Sequence, residues 1–335
     1  MKEKLFAPRA RVAMVGDSIT HSGLAVAYLQ EYYLSHFPER QVKIFNLGTG
    51  GDTAAGACAE ARVAEILSVK PTEAVVMFGV NDMSVPAYGS LTPTAEQIAL
   101  RTAARRRHLE ATVRLVGLLR EHGLPVTLCS SVGRDEHTAG DGGYLSYGAT
   151  AALYGMFRDN LAAIGEDALK NTVDYLGPMQ TLQAGLCAIG GPSLFAPDRT
   201  HPSELGQVMM ARILLRAQGL PVTLPTAEAI AAGWHERVLP RALRERRSTG
   251  LRWRDLSWVY PHQADRTKGL DLDGRIAYWQ EELKKPDLPP YFISMYTNYV
   301  NNAEKQEAYL QEYMVLTDAL YTPTGEVIVK EGLRI

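Results

Sequence analysis

Short apolar runs alternate with longer amphipathic stretches over the first two thirds of the chain. The runs end at turn residues and are apolar at successive positions, which is typical of strands covered on both faces. They lie at residues 11–15, 42–45, 73–78, 125–129 and 172–176. This pattern predicts five buried strands.

Stretches with apolar residues at helical spacing separate these runs. Helices are predicted over residues 56–69 and over residues 205–218, where Gly219 is a suitable C-cap. A third helix has its predicted apolar stripe at Leu109, Val113, Val116 and Leu119. Strand–helix alternation of this length predicts an α/β fold with a parallel sheet between two helical layers. Ligands of such sheets bind beyond the carboxyl ends of the strands.

The segment over residues 221–335 differs in composition. It contains all four tryptophans and eight of the sixteen tyrosines. Helical patterns at residues 226–233 and 301–320, and a late strand at residues 326–329, predict a mostly helical extension. Its aromatic residues favour an internal core or a dimer face over a ligand platform. We therefore predict a first domain over residues 1–220 and a C-terminal extension over residues 221–335, acting as a cap, a dimerisation segment or an accessory segment.

Charge and composition exclude several classes of protein. The net charge is −2, so the arginines between residues 237 and 254 indicate a solvated face and not a nucleic-acid site. No apolar run approaches the ~20 residues that a membrane span needs. Residues 1–10 are too short and too charged for a signal peptide, which favours a cytoplasmic protein. Cys58, Cys129 and Cys187 are predicted to be reduced and buried, and no metal or cofactor is predicted.

Two motifs suggest acyl-transfer chemistry. Gly16-Asp17-Ser18-Ile19 follows the first predicted strand, and Asp198-Arg199-Thr200-His201-Pro202 precedes the last predicted helix. A serine needs a base to become a nucleophile, and the base needs an orienting partner. Ser18, His201 and Asp198 are candidates for these roles. The structural alternative is that Ser18 only begins a helix and that His201 is an ordinary loop residue.

Two further positions could hold a developing oxyanion. Gly51 and Asn81 both follow predicted strand ends. A glycine lets the backbone N–H approach a substrate, and an asparagine amide supplies a side-chain donor. The alternative is that the Gly48–Gly51 cluster forms a plain turn and Asn81 a helix cap. Thr53 stands where a dinucleotide-binding glycine pattern would need glycine.

Other hydrolase signatures are missing from the sequence. No serine lies in a GxSxG turn, since the nearest candidate, Ser146, has the wrong spacing. His235-Glu236 is not followed by the second histidine of a zinc protease, because Leu239 occupies that position.

Taken together, the motifs resemble those of the SGNH hydrolases, the GDSL-type esterase/lipase family. The blocks are Gly16–Ile19, Asn46–Thr53, Gly79-Val80-Asn81-Asp82 and Asp198–Pro202, in the family's order. The resemblance covers about residues 10–220 and implies a flavodoxin-like α/β/α sandwich with five parallel strands. It also implies Ser18 as nucleophile, His201 as base, Asp198 as acid, and the Ser18 and Gly51 N–H groups with Asn81 as oxyanion donors.

The resemblance implies a serine esterase that needs no cofactor, acting on a small-molecule or oligosaccharide ester. Ile19 in the first block resembles the branch that acts on small or carbohydrate-borne esters, and the polar rim expected around the pocket favours carbohydrate O-deacetylation. Short-chain esters, lysophospholipids and thioesters are alternatives, and a non-catalytic carbohydrate-binding protein is the alternative from another class. We expect Thr200, Met83 and residues 140–144 to line the pocket, with no membrane or nucleic-acid partner. The C-terminal extension is also a candidate interface for a homo-oligomer.

Overall fold

A computed structural model describes residues 4–138, 146–234 and 272–286, together with residues 297, 300 and 301. Five strands form one parallel sheet in the order β2-β1-β3-β4-β5. They are β1 (Arg11–Gly16), β2 (Lys43–Gly48), β3 (Glu73–Met77), β4 (Val126–Cys129) and β5 (Asn171–Val173). The chain reverses its direction of travel across the sheet after β2, so a crevice is expected between the carboxyl ends of β1 and β3. All five predicted strands are present.

The described helices cover both faces of this sheet. They are α1 (Ser18–His21), α2 (Leu24–His36), α3 (Ala54–Ala57), α4 (Glu60–Ser68), α5 (Ala95–Glu121), α6 (Ala149–Ile164), α7 (Leu176–Ala188), α8 (Glu204–Ala217), α9 (Ala227–Ala231) and α10 (Leu272–Leu283). Short 3-10 turns occur at Pro38–Arg40, Val85–Tyr88 and Glu166–Ala168.

Alternate residues of each strand enter two separate cores. In β1, Val12 packs into a core with α2 and α8, whereas Ala13 packs into a second core with α4 and α5. Side chains of a strand point to opposite faces in turn, so a strand that is apolar throughout serves both cores. The predicted α/β/α sandwich is confirmed.

Two helix predictions need correction. The helix expected over residues 56–69 is two helices, because Ala59 has an extended backbone (ψ 142°) between α3 and α4. The buried stripe of α5 differs from the predicted one, since Val113 is 38% exposed while the polar residues His108 and Thr112 are buried. The predicted stripe followed apolar residue type, whereas the true stripe includes polar side chains with buried partners. The helix ending before Gly219 is confirmed, and this glycine has φ +86°.

The cysteines also depart from expectation at one position. Cys58 and Cys129 are buried free thiols, but Cys187 is only half-buried. None of these thiols forms a disulfide within the described residues.

The first residues after 220 pack on the sandwich. Val222, Ala227 and Ile230 belong to the core that also holds α7 and α8, and α9 packs against α7. The division at residue 220 and the role of the extension stay predictions. The arginine stretch at residues 237–254, the late strand at residues 326–329 and nearly all of the helical pattern at residues 301–320 lie outside the described residues. Among the described helices, none has the length and apolarity needed to cross a membrane.

Candidate active site

Ser18 lies in a tight turn directly after β1. Asp17 caps α1, and its Oδ1 accepts a hydrogen bond from the Ile19 N–H at 2.9 Å. A Cβ at Gly16 would stand 2.2 Å from Thr20 Oγ1 and 2.9 Å from the Met77 carbonyl oxygen. Only glycine fits there, so the chain can turn sharply and present Ser18 at the carboxyl edge of the sheet.

His201 and Asp198 lie in a hairpin-like loop before α8. Phe195 and Pro202 form an antiparallel bridge, and the Ala196 N–H donates to the His201 carbonyl at 2.7 Å. Within this loop, Asp198 Oδ1 accepts from the Thr200 and His201 N–H groups, both at 2.9 Å. This turn fixes the Asp198 carboxylate beside the imidazole three residues later.

The structure brings the three residues of the predicted triad into one hydrogen-bonded row. His201 Nε2 lies 2.7 Å from Ser18 Oγ, and His201 Nδ1 lies 2.5 Å from Asp198 Oδ2. The side chains of His201 and Asp198 are 32% and 45% exposed, so the row opens to solvent. A nucleophile, a base and an orienting carboxylate in this arrangement can carry out acyl transfer.

Asp198 is held in its ionised form. Partial burial alone would raise the pKa of this carboxyl group. Hydrogen bonds from the His201 ring and from the His201 and Thr200 N–H groups outweigh burial and lower the pKa to about 2. Asp198 is therefore an anion at neutral pH, as a group that stabilises an imidazolium must be.

The Gly51 loop is tied to the Ser18 turn through the backbone. The Thr49 N–H donates to the Gly16 carbonyl at 3.0 Å, and the Asp52 N–H closes a turn to the Thr49 carbonyl at 3.1 Å. Gly51 has φ +76° in this turn, a conformation that favours glycine. Within the described part of the chain, the Gly51 N–H donates to no protein acceptor and stays available to a ligand.

Asn81 lies next to the same loop. It follows β3, where the Asp82 and Met83 N–H groups both donate to the Gly79 carbonyl at 3.1 Å. One N–H of the Asn81 amide donates to the Asp52 carbonyl at 2.8 Å. The second N–H has no acceptor among the described residues, so it too is available.

Two residues that sequence reasoning did not select support these loops. The buried Arg62 of α4 donates from Nε to Asp52 Oδ2 at 3.1 Å, and from Nη2 to the Leu47 carbonyl. Asp82 Oδ1 accepts from the Ala54 N–H at 3.1 Å and so joins the Asn81 loop to the start of α3. The Asn-Asp pair in the third block was a signal for Asp82, but no local pattern pointed to Arg62.

Asp17 is the buried acid of the site. Its pKa is raised from 3.8 to about 7, mainly by burial and to a smaller extent by the nearby carboxyl groups of Asp82 and Asp52. The Ile19 N–H and His201 act in the opposite direction. The carboxyl groups of Asp52 and Asp82 thus lie close enough for their charges to act on Asp17.

The predicted pocket lining is corrected in part. Met83 is completely buried in the core and cannot line an open pocket. Thr200 is half-buried, with Oγ1 donating to the Asp198 carbonyl at 3.2 Å. Residues 140–144 lie outside the described residues. In the ranges that the structure describes, no group of His, Cys, Asp or Glu side chains is arranged to hold a metal ion.

The fold and the order of the motif blocks define a hydrolase of the SGNH class. The sequence profile of the GDSL-like Lipase/Acylhydrolase family matches residues 14–208, more than half of the 335 residues. The chain belongs to this family and is a carboxylic ester hydrolase. The resemblance inferred from the four motifs is confirmed.

Several solved structures are similar to this chain. BT4096, a gut microbial diltiazem-metabolizing enzyme, is 22% identical with a TM-score of 0.59; the match covers 65% of this chain and 49% of that one, about half its length. Axe2, an acetylxylan esterase from Geobacillus stearothermophilus, is 19% identical with a TM-score of 0.49, covering 67% of this chain and 99% of that one. The acetyl xylan esterase AlAXEase is 17% identical with a TM-score of 0.48, covering 62% and 98%. No curated protein matches in sequence.

Proposed function

We propose that the protein is a serine esterase in which Ser18, His201 and Asp198 form the catalytic triad. The observation that carries this proposal is the pair of contacts of the His201 ring, 2.7 Å to Ser18 Oγ and 2.5 Å to Asp198 Oδ2. The ring is placed to accept the serine proton on Nε2 while Nδ1–H stays bonded to the ionised carboxylate.

In the proposed reaction, Ser18 Oγ attacks the ester carbonyl carbon while His201 takes the hydroxyl proton. The carbonyl oxygen becomes an oxyanion that receives hydrogen bonds from the Ser18 N–H, the Gly51 N–H and the Asn81 amide. Collapse of this intermediate breaks the bond to the alcohol, which leaves with the proton from His201. Water then attacks the acyl-enzyme by the same route and releases the acid.

We further propose that the acyl group is small, an acetyl group carried on a carbohydrate. The loops of the site are polar and open: Gly50, Gly51 and Asn81 are exposed, and Thr49 and Thr200 are half-exposed. Among the described residues, none of the large apolar side chains with high exposure belongs to the loops at residues 16–23, 48–54, 79–83 or 195–203. A rim of this kind suits a hydrophilic alcohol better than a long acyl chain.

The experiment that tests both proposals measures acid release from two sets of substrates. Acetylated monosaccharides and oligosaccharides form the first set, and p-nitrophenyl acetate, butyrate and octanoate form the second. Ser18→Ala and His201→Ala should each lower kcat by about 10⁴-fold or more and leave the unfolding temperature unchanged. Ser68→Ala, which removes an exposed serine of α4, is the matched control and should keep full activity.

Each outcome has a clear meaning. Serine-dependent acetate release from sugars would support the triad and the substrate together. Turnover of activated short esters alone would support the triad and refute the carbohydrate substrate, and a preference for octanoate would favour lipid esters. Full activity of Ser18→Ala would refute the triad, whereas sugar binding without turnover by the wild-type protein would favour the binding-protein alternative.

A further inference from the structure

His108 is a buried polar residue that none of the four motif blocks contains. It lies in the middle of α5, and its side chain is 3% exposed. Its Nδ1 lies 3.3 Å from Asp82 Oδ1, and the Asp82 side chain is itself only 5% exposed. The contact has the distance of an ion pair but is not aligned as a hydrogen bond.

The other ring nitrogen of His108 fixes the position of the proton. His108 Nε2 lies 3.0 Å from Asn160 Nδ2 of α6 and 3.4 Å from Thr112 Oγ1. Because the Asn160 amide nitrogen can only donate, Nε2 is the acceptor in this arrangement and Nδ1 carries the proton. The N–H edge of the ring therefore faces the Asp82 carboxylate.

Asp82 connects two of the proposed oxyanion donors. It follows Asn81 directly, and its Oδ1 accepts from Ala54 N–H at the start of α3, three residues after Gly51. Its Oδ2 is buried without a hydrogen-bond partner among the described residues. This carboxylate joins the Asn81 loop to the Gly51 loop, and the imidazole of His108 is in ion-pair distance of it.

The charge of Asp82 makes this support more than a packing contact. An unshielded carboxylate beside the donors would oppose the negative charge that develops on the substrate oxygen. The negative charge of Asp82 acts on Asp17 and helps to raise the pKa of that carboxyl group. The partial positive charge on the N–H edge of the His108 ring, with Nδ1 3.3 Å from Asp82 Oδ1, reduces that opposing field and favours one position of the carboxylate.

We propose that His108 is a positioning residue for the oxyanion hole, acting through Asp82 on the donors at Asn81 and Gly51. This inference rests on the proposed function, since it takes Asn81 and Gly51 as the donors. Loss of the ring should therefore weaken stabilisation of the transition state and leave ground-state binding of the ester nearly unchanged.

The experiment is a double-mutant cycle with kcat and KM measured on p-nitrophenyl acetate. His108→Leu should lower kcat by about ten- to a hundredfold and change KM by less than about twofold. Adding Asp82→Asn to His108→Leu should restore most of kcat, because the amide oxygen still accepts from Ala54 while the charge is gone. Ala104→Gly, at a buried position one turn earlier on α5, reports the effect of destabilising the helix alone.

A second pair of variants covers the case in which His108→Leu does not fold. His108→Asn places an amide N–H where Nδ1 stands, whereas His108→Gln places it where Nε2 stands. We expect kcat to be higher for His108→Asn than for His108→Gln at equal unfolding temperature. Equal kcat values for these two variants would overturn the proposal.

The failure of this inference can be told from failure of the proposed function. Unchanged kcat in His108→Leu, or losses that multiply in the double mutant, would overturn the role of His108 while Ser18→Ala still abolishes turnover. If Ser18→Ala keeps its activity, the proposed function fails first.

Discussion

Asp17→Asn is the substitution whose effect on stability follows most directly from the structure. Asp17 is 1% exposed. Ionising its carboxyl group in the folded protein therefore costs desolvation free energy. Its Oδ1 caps α1 through the Ile19 N–H, and an asparagine oxygen can keep that hydrogen bond. The substitution therefore removes the charge and keeps the cap.

The size of the effect follows from the pKa of Asp17. A rise from 3.8 in the unfolded chain to about 7 in the folded protein means that the folded state holds this proton more tightly. This contribution to stability is complete below pH 4 and is lost as the pH rises through 7. In all, this protonation changes the free energy of unfolding by about 4 kcal/mol, and about 3 kcal/mol of that change falls between pH 5 and pH 8.

The assay is urea unfolding at pH 5, 6, 7 and 8 for the wild type and for Asp17→Asn. All other titrating groups are common to both proteins, so the difference between their unfolding free energies isolates Asp17. We expect Asp17→Asn to gain about 3 kcal/mol on the wild type across this range. Asp198→Asn is the control: the pKa of Asp198 is lowered from 3.8 to about 2, so its contribution to stability is complete above pH 4 and is lost only as the pH falls below 4. The difference between wild type and Asp198→Asn should therefore stay constant from pH 5 to pH 8. A constant difference between wild type and Asp17→Asn would refute the assignment of Asp17 as a neutral buried acid.

Three further predictions concern the donors and the chain after residue 220. Asn81→Ala should lower kcat by about 10² to 10³ and change KM little, as measured on p-nitrophenyl acetate; a loss confined to KM would contradict its role as a donor. Gly51→Ala should lower the free energy of unfolding by about 1 kcal/mol, because an alanine is strained at φ +76°, and should also lower the esterase activity. Gly50→Ala, with equally open surroundings, is its control in the same unfolding and activity assays. A chain ending at residue 220 should be less stable than one ending at residue 234 by about 3–6 kcal/mol, because Val222 and Ile230 fill the core; equal urea midpoints would show that this packing contributes nothing.

The sequence was sufficient to predict the sheet and to select the three residues of the proposed triad, because the signals for both are local. Each strand is a continuous apolar run, and the Ser18 turn and the Asp198–His201 loop are each contained in five residues. The order of the strands then brings the two loops to one edge without further information. The predicted stripe on α5 was wrong because its signal is not local. His108 is buried against partners on α6 and in the Asn81 loop, and the sequence of α5 alone does not reveal them.

The same reasoning explains why the electrostatic design of the site was not predictable. Asp17, Asp52 and Asp82 belong to three different motif blocks, and the fold brings Asp52 and Asp82 close enough for their charges to act on Asp17. The negative charge of each carboxyl group is compensated in a different way. Asp52 is paired with Arg62 of α4, and Asp82 lies next to His108 of α5. Burial favours the neutral form of Asp17. Three anions at this place would oppose the charge of the transition state. The partners of Asp52 and Asp82 come from α4 and α5. The motif blocks contain the three acids, but only the packed structure shows how their charge is compensated.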